Sequence, residues 1–156
     1  MGSKELEVAY YPESQLKLVS KSMLTINGSM IAAFNCMKQQ LSLKAGLGLS
    51  GIQIRFGFCA MITYSPAESA LAVGAINPQL TFRAVTSNLA CQEGCLSIPG
   101  LFVLRRRPVR ILLKFLLLKA GWVRSLVLLE KWGGLQSICL QHEMDHLIGK
   151  SIGQLG

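Results

Sequence analysis

Two helical stretches that bracket a run of strand-like segments predict an α+β chain. Three observations carry that expectation. A stripe of apolar residues at helical spacing follows Asn27. Between Ile54 and Leu129 lie short segments rich in Ile, Val, Leu and Phe, broken by Gly, Pro, Asn and Ser. Near the end, Leu135, Ile138, Cys139, His142 and His146 recur on one helical face. The length fits one domain, read here as 1–156, because 156 residues can bury a core without staples.

Composition narrows the classes. Apolar residues make up 51% and the mean hydropathy is +0.41, high for a soluble chain. The densest apolar run, Ile111 to Leu118, is interrupted by Lys114 and falls well short of the ~20 residues a membrane span needs. The start, Met1-Gly2-Ser3-Lys4-Glu5-Leu6-Glu7, lacks the charged-then-apolar order of a signal peptide. Neither a membrane nor DNA is an expected partner. Five scattered cysteines argue for a reducing compartment over a disulfide framework. The net charge of +8 fits a solvated surface first and a polyanionic neighbour such as RNA second.

Residues 8–19 read as an extended arm with a turn at Pro12-Glu13-Ser14. A helix follows, capped by Asn27 or Ser29, with Met30, Ile31, Phe34, Met37, Leu41 and Ile26 as its apolar face, failing near Lys44-Ala45-Gly46. The glycines of Gly46-Leu47-Gly48-Leu49-Ser50-Gly51-Ile52-Gln53 do not form a dinucleotide fingerprint, since no strand precedes them and the third is misplaced. They suit a backbone that approaches a ligand or another strand. Strands are expected at 54–62, at 71–76 and 79–84 around Asn77-Pro78, at 101–104 and 109–118 around Arg105-Arg106-Arg107-Pro108, and at 123–129. Turns are expected at 64–68, 86–88, Pro99-Gly100 and Gly121, and the last helix should run over 135–147 and stop at Gly149. Lys114 apart, 109–118 is apolar on both faces and should be covered on both.

Within that last helix, Gln141-His142-Glu143-Met144-Asp145-His146 carries two histidines four apart, so both can ligate one divalent ion. Glu143 can serve as base towards a water that the metal activates. A chance match is the plain alternative, but two partnerless imidazoles continuing an apolar face would be costly to bury, and a metal removes that cost. Cys95 reads either as a small buried hydrophobe ending a strand or as a thiolate completing the site. Cys91 and Cys95 are not read as a zinc-type pair, because no second pair exists.

Three motifs stand in order: Gly46 to Gln53, Glu93-Gly94-Cys95-Leu96-Ser97, and Gln141 to His146. Together they resemble the peptide deformylase family, with its GxGLAAxQ, EGCLS and QHExDH. The arm Tyr11-Pro12-Glu13-Ser14-Gln15-Leu16, the Ile76-Asn77-Pro78 strand, Arg107 and His146 to Lys150 extend the likeness over about 8–153. The resemblance implies antiparallel strands packed around the metal-binding helix, and removal of the formyl group from N-terminal formyl-methionine of new polypeptides. It implies that Cys95, His142 and His146 hold one divalent metal, natively Fe2+ and replaceable by Ni2+ or Zn2+. It makes Glu143 the general base and acid, and the Leu96 backbone N–H and Gln53 side chain the oxyanion donors. Gly48 would bind the substrate backbone, Gly46 and Gly94 would also contact the substrate, and Leu47, Cys91, Glu93, Leu135, Ile138 and Cys139 would meet the formyl-methionine side chain. Transient ribosome association, a monomer, and the cytoplasm or an organelle are the corresponding expectations. One of the arginines at 105–107, with Arg107 at the family's distance from EGCLS, is expected to pair with Asp145 and brace the helix; an exposed Asp145 is the plain alternative.

The chain departs from the pattern at Ser50-Gly51-Ile52, which replaces Ala-Ala-Pro and adds backbone freedom at Gly51. It departs again at Trp132-Gly133, in the lack of an acidic residue over 111–118, and in stopping at Gly156, short of the carboxy-terminal helix of many members. Another HExxH metalloprotease would draw a downstream ligand, and no His, Glu, Asp or Cys follows His146. A protein that binds formylated chains or ribosomal RNA without turnover is the second reading.

Overall fold

The computed structural model describes residues 7–64, 72–84, 88–119, 122–132 and 134–152. Helix α1 spans Gly28–Leu43, and the Asn27 side chain caps it by accepting the Met30 N–H at 3.2 Å. Met30, Ala33, Phe34, Met37 and Leu41 are buried along one face. Ile26 and Ile31 are exposed, because the buried stripe is narrower than the apolar pattern suggested. The helix stops at Lys44, and Ala45 turns the chain with a positive φ of 49°.

Seven strands follow: β1 Gly48–Ser50, β2 Ala60–Tyr64, β3 Ala72–Arg83, β4 Asn88–Cys95, β5 Ile98–Pro108, β6 Arg110–Lys119 and β7 Trp122–Trp132; helix α2 covers Gly134–Leu147. Five strands form one antiparallel sheet in the order β1-β2-β3-β6-β7, and β4 and β5 form a separate hairpin. Helix α2 packs between the two, touching β1 and β2 on one side and β5 on the other. The sheet is covered on both faces, as alternation along β6 requires. Leu116 and Leu118 join the α1 core, while Ile111, Leu113 and Phe115 join Leu140 and Leu147 of α2. No described helix is long and apolar enough to cross a membrane.

Several expected boundaries are corrected. The strand expected from Ile54 starts only at Ala60, because Gly51–Ile54 form a 3₁₀ turn that Arg55 closes at φ 62°. The two strands expected around Asn77-Pro78 are one, β3, with a register shift between Ile76 and Gln79. That bulge accommodates the proline, and Asn77 clamps the Met23 backbone, accepting from its N–H and donating to its C=O, each at 2.8 Å. The tight turn expected at Pro99-Gly100 lies at Leu96-Ser97, and β5 then runs unbroken through Arg105–Pro108. Pairing jumps from Gly94 with Phe102 to Cys95 with Ile98, so the irregular stretch absorbs Pro99 and Gly100. Gly149 ends the last helix at φ 76°, where a Cβ would collide with the Lys17 carbonyl. The turns expected at 64–68, 86–88 and Gly121, the Trp132-Gly133 step and the chain end fall wholly or partly outside the described residues.

Candidate metal centre

The helical spacing of His142 and His146 brings their Nε2 atoms to 3.2 Å, with the rings edge-on. Cys95, the last residue of β4, places its Sγ 3.3 Å from His146 Nε2. The three ligand atoms lie within 4.8 Å of one another. All three residues are buried. Three lone-pair donors converging out of water have nothing better to bind than a cation, and a set of one sulfur and two nitrogens suits a borderline divalent ion.

A second layer of charge holds the ligands in place. His142 Nδ1 lies 3.1 Å from Glu93 Oε2, which orients the ring and directs Nε2 at the site. Arg107 grips both oxygens of Glu93, at 2.8 Å from Nη2 to Oε2 and through Nε to Oε1. The same Nη2 lies 2.9 Å from Asp145 Oδ2, with Arg105 at 3.2 Å, so the expected Arg–Asp brace between β5 and α2 is present. Burial raises the Glu93 pKa, yet its bonds to Arg107 and His142 outweigh that and hold it down at about 2. Burial pushes Glu143 up to about 7, against the pull of His142 and Arg107. Glu143 Oε2 and His146 Nδ1 are buried with no hydrogen-bond partner among the described residues.

A cavity of about 390 Å³ opens over these groups. Gly46, Leu47, Gly48, Gln53, Cys91, Glu93, Gly94, Cys95, Leu96, Leu135, Ile138, Cys139, His142 and Glu143 all line it, and His146 sits fully buried outside the lining. Gly48 is there because nothing larger fits: a Cβ would stand 2.7 Å from Cys139 Sγ and 2.8 Å from Glu143 Oε1.

A family model described as polypeptide deformylase matches residues 5–154. The chain belongs to that family. It is 32% identical over 147 residues to a peptide deformylase of Baumannia cicadellinicola, covering 93% of this chain and 83% of that one. It is 33% identical over 150 residues to one of Prochlorococcus marinus, covering 95% and 72%. A crystal structure of the Ehrlichia chaffeensis peptide deformylase in complex with actinonin superposes with a TM-score of 0.84 at 26% identity, covering 96% and 87% of the two chains. Deformylases are metal-dependent hydrolases that act on nascent formylated polypeptides, and this chain removes the N-formyl group from N-terminal formyl-methionine.

Against the deformylase motifs, the structure adds roles that the sequence reading did not assign. Glu93 lines the cavity, but its carboxylate is committed to Arg107 and His142. Ser97, within the EGCLS motif, accepts from Gln53 Nε2 at 3.1 Å, and the same nitrogen lies 3.6 Å from Cys95 Sγ. Leu101 and Phe102 of β5 also form part of the lining, and no motif marks them. Their only local signal was an apolar pair beside Gly100. Gly51 is not a source of backbone freedom: it is buried, and a Cβ would meet the Phe56 and Phe58 carbonyl oxygens at 3.0 and 3.1 Å. It lets the 3₁₀ turn seat closely and so helps place Gln53.

Proposed function

We propose that Cys95, His142 and His146 hold the metal for the deformylation, natively Fe2+, with Glu143 as general base and acid and Gln53 and the Leu96 N–H as oxyanion donors. A divalent ion held there supplies Lewis acidity and makes water a nucleophile near neutral pH. Glu143 takes a proton from the attacking water on Oε2, which has no hydrogen-bond partner among the described residues. Oxygen adds to the formyl carbon, the C–N bond breaks, and Glu143 passes the proton to the leaving amine nitrogen, releasing formate. Gln53 Nε2 and the Leu96 N–H donate to the formyl oxygen as it gains charge, each contributing about 3 kcal/mol by mutational analogy.

Binding follows from the same cavity. Gly46, Gly48 and Gly94 border the substrate, and at each the space of a Cβ is taken by neighbouring side chains: Leu41 and Leu96, Cys139 and Glu143, and Phe102 in turn. Leu47, Cys91, Ile138 and Cys139, with Leu135 at the more exposed edge, receive the methionine side chain, and Glu93 acts there chiefly through His142. The match over 5–154 supports one catalytic domain. A monomer in a bacterial cytoplasm or an organelle, associating transiently with the ribosome through its +8 charge, completes the reading.

One observation carries it. Cys95 and His142 line one cavity with the Gln53 amide and Glu143, His146 lies buried against the two ligands, and Glu143 Oε2 has no hydrogen-bond partner among the described residues. Formate release from a formyl-methionyl tripeptide, by anaerobic protein loaded with ferrous iron or nickel, is the test. Turnover is expected with either ion and none after chelation. Binding of the peptide without formate release by metal-loaded protein would replace catalysis with the non-turnover reading.

A further inference from the structure

We propose that Ser50 is a positioning residue that decides which way the Gln53 amide faces. The proposal rests on the reading of Gln53 as an oxyanion donor. A primary amide that flips by 180° exchanges its oxygen and nitrogen at almost no change of shape, so a buried glutamine works as a donor only if its surroundings select one orientation. Ser50 makes that selection. Its hydroxyl donates to Gln53 Oε1 at 3.0 Å and its backbone N–H donates to the same oxygen at 2.9 Å. Both residues are essentially excluded from water, so no solvent donor competes.

With the oxygen held, the nitrogen is left on the side of the metal ligands, where it meets Ser97 Oγ and Cys95 Sγ. In the flipped arrangement the NH2 would face the Ser50 N–H, donor against donor, and the carbonyl oxygen would face the Cys95 sulfur with no donor between them. The Ala9 N–H holds the Gln53 carbonyl at 2.6 Å and the Ser50 hydroxyl caps the turn at the Gln53 N–H, so Ser50 fixes the side-chain amide on a backbone it also helps to hold. An alanine at position 50 keeps the backbone donor and loses the hydroxyl. Its effect is therefore a partial loss of selection rather than collapse of the site.

The test is a double-mutant cycle between Ser50→Ala and Gln53→Leu in nickel-loaded protein, with kcat, KM and Tm measured for each. Ser50→Ala should lower kcat by about 3- to 10-fold with KM within about twofold, and Ser50→Thr should restore most of it. In the Gln53→Leu background, Ser50→Ala should change kcat no further. A second readout needs no turnover. In ¹⁵N-labelled zinc-loaded protein, the side-chain amide signals that vanish in Gln53→Leu should exchange with solvent faster in Ser50→Ala. Unchanged kcat and unchanged exchange in Ser50→Ala, with kcat lost in Gln53→Leu, overturns the role of Ser50 and leaves Gln53's intact. An equal fall in both backgrounds also overturns it, because Ser50 would then act by another route. Undiminished kcat in Gln53→Leu overturns the donor reading itself.

Discussion

Glu143 is a carboxylate whose chemistry follows from where one oxygen points. It follows a proposed ligand in sequence, is buried, and leaves Oε2 without a partner in the described site. Glu143→Gln preserves shape and removes the proton acceptor, so metal content and Tm should be unchanged while kcat falls by about 10²-fold or more. Metal analysis beside formate kinetics checks this, and retention of more than a few per cent of turnover rejects the base assignment. Cys95 has two imidazole nitrogens around its sulfur. Burial pushes both Cys59 and Cys139 upward, which leaves them as inert thiols. In air, the iron-loaded protein should lose activity with oxidation at Cys95 ahead of Cys36, Cys59 and Cys139, O₂ being the oxidant. Nickel- or zinc-loaded protein should last far longer. Peptide mass spectrometry of aerated samples decides it, and uniform oxidation of all the cysteines rejects the mechanism.

At the scale of elements, the β4–β5 hairpin and α2 are joined by charge rather than by a continuous apolar seam. Cys91, Glu93 and Cys95 alternate along β4, so all three point from one face, and register places Arg105 and Arg107 opposite Cys91 and Leu89. From there Arg107 reaches both Glu93 and Asp145 while itself buried. Removing Arg107 leaves buried Glu93 without its arginine and Asp145 with Arg105 alone, so Arg107→Met should cost about 3–5 kcal/mol in urea unfolding. It should also weaken metal retention, because Glu93 then loses the partner that holds it on His142. A loss below about 1 kcal/mol would show that the bridge is solvated in solution.

For the whole molecule, the centre is an assembly of distant parts. The 3₁₀ turn brings Gln53, β4 brings Cys95, and α2 brings the histidines and Glu143, so the ligand set exists only when the hairpin is closed on α2. An ion that binds the folded chain and not the unfolded one stabilises it by about 4 kcal/mol when free ion exceeds Kd a thousandfold. Chelation should therefore lower Tm by roughly 10 °C for a chain of this size, reversibly on adding the ion back. Cys95→Ala should abolish that increment. A Tm indifferent to chelator would mean that the fold closes without the ion's help.

What could be read directly from the residues was whatever depends on near neighbours. The Asn27 cap, the spacing of Met30, Phe34, Met37 and Leu41, and the two histidines one turn apart all follow from helical geometry within a few positions. The two-faced burial of Ile111 to Leu118 follows in the same way from a period of two. Sequence motifs taken together also pointed to the family and to the cavity residues. Tertiary structure decided the rest. Asn77-Pro78 looked like a break, but pairing of β3 on both sides and the Asn77 clamp on Met23 carry the strand across it. Pro99-Gly100 looked like a turn, but hairpin register puts the turn at Leu96-Ser97. Glu93 was read as part of the methionine pocket. It lines the cavity, and its carboxylate is also claimed by Arg107, 14 positions away, and His142, 49 positions away. Which groups meet across such separations is set by sheet register and by the closing of one element on another, and local propensity carries no information about either.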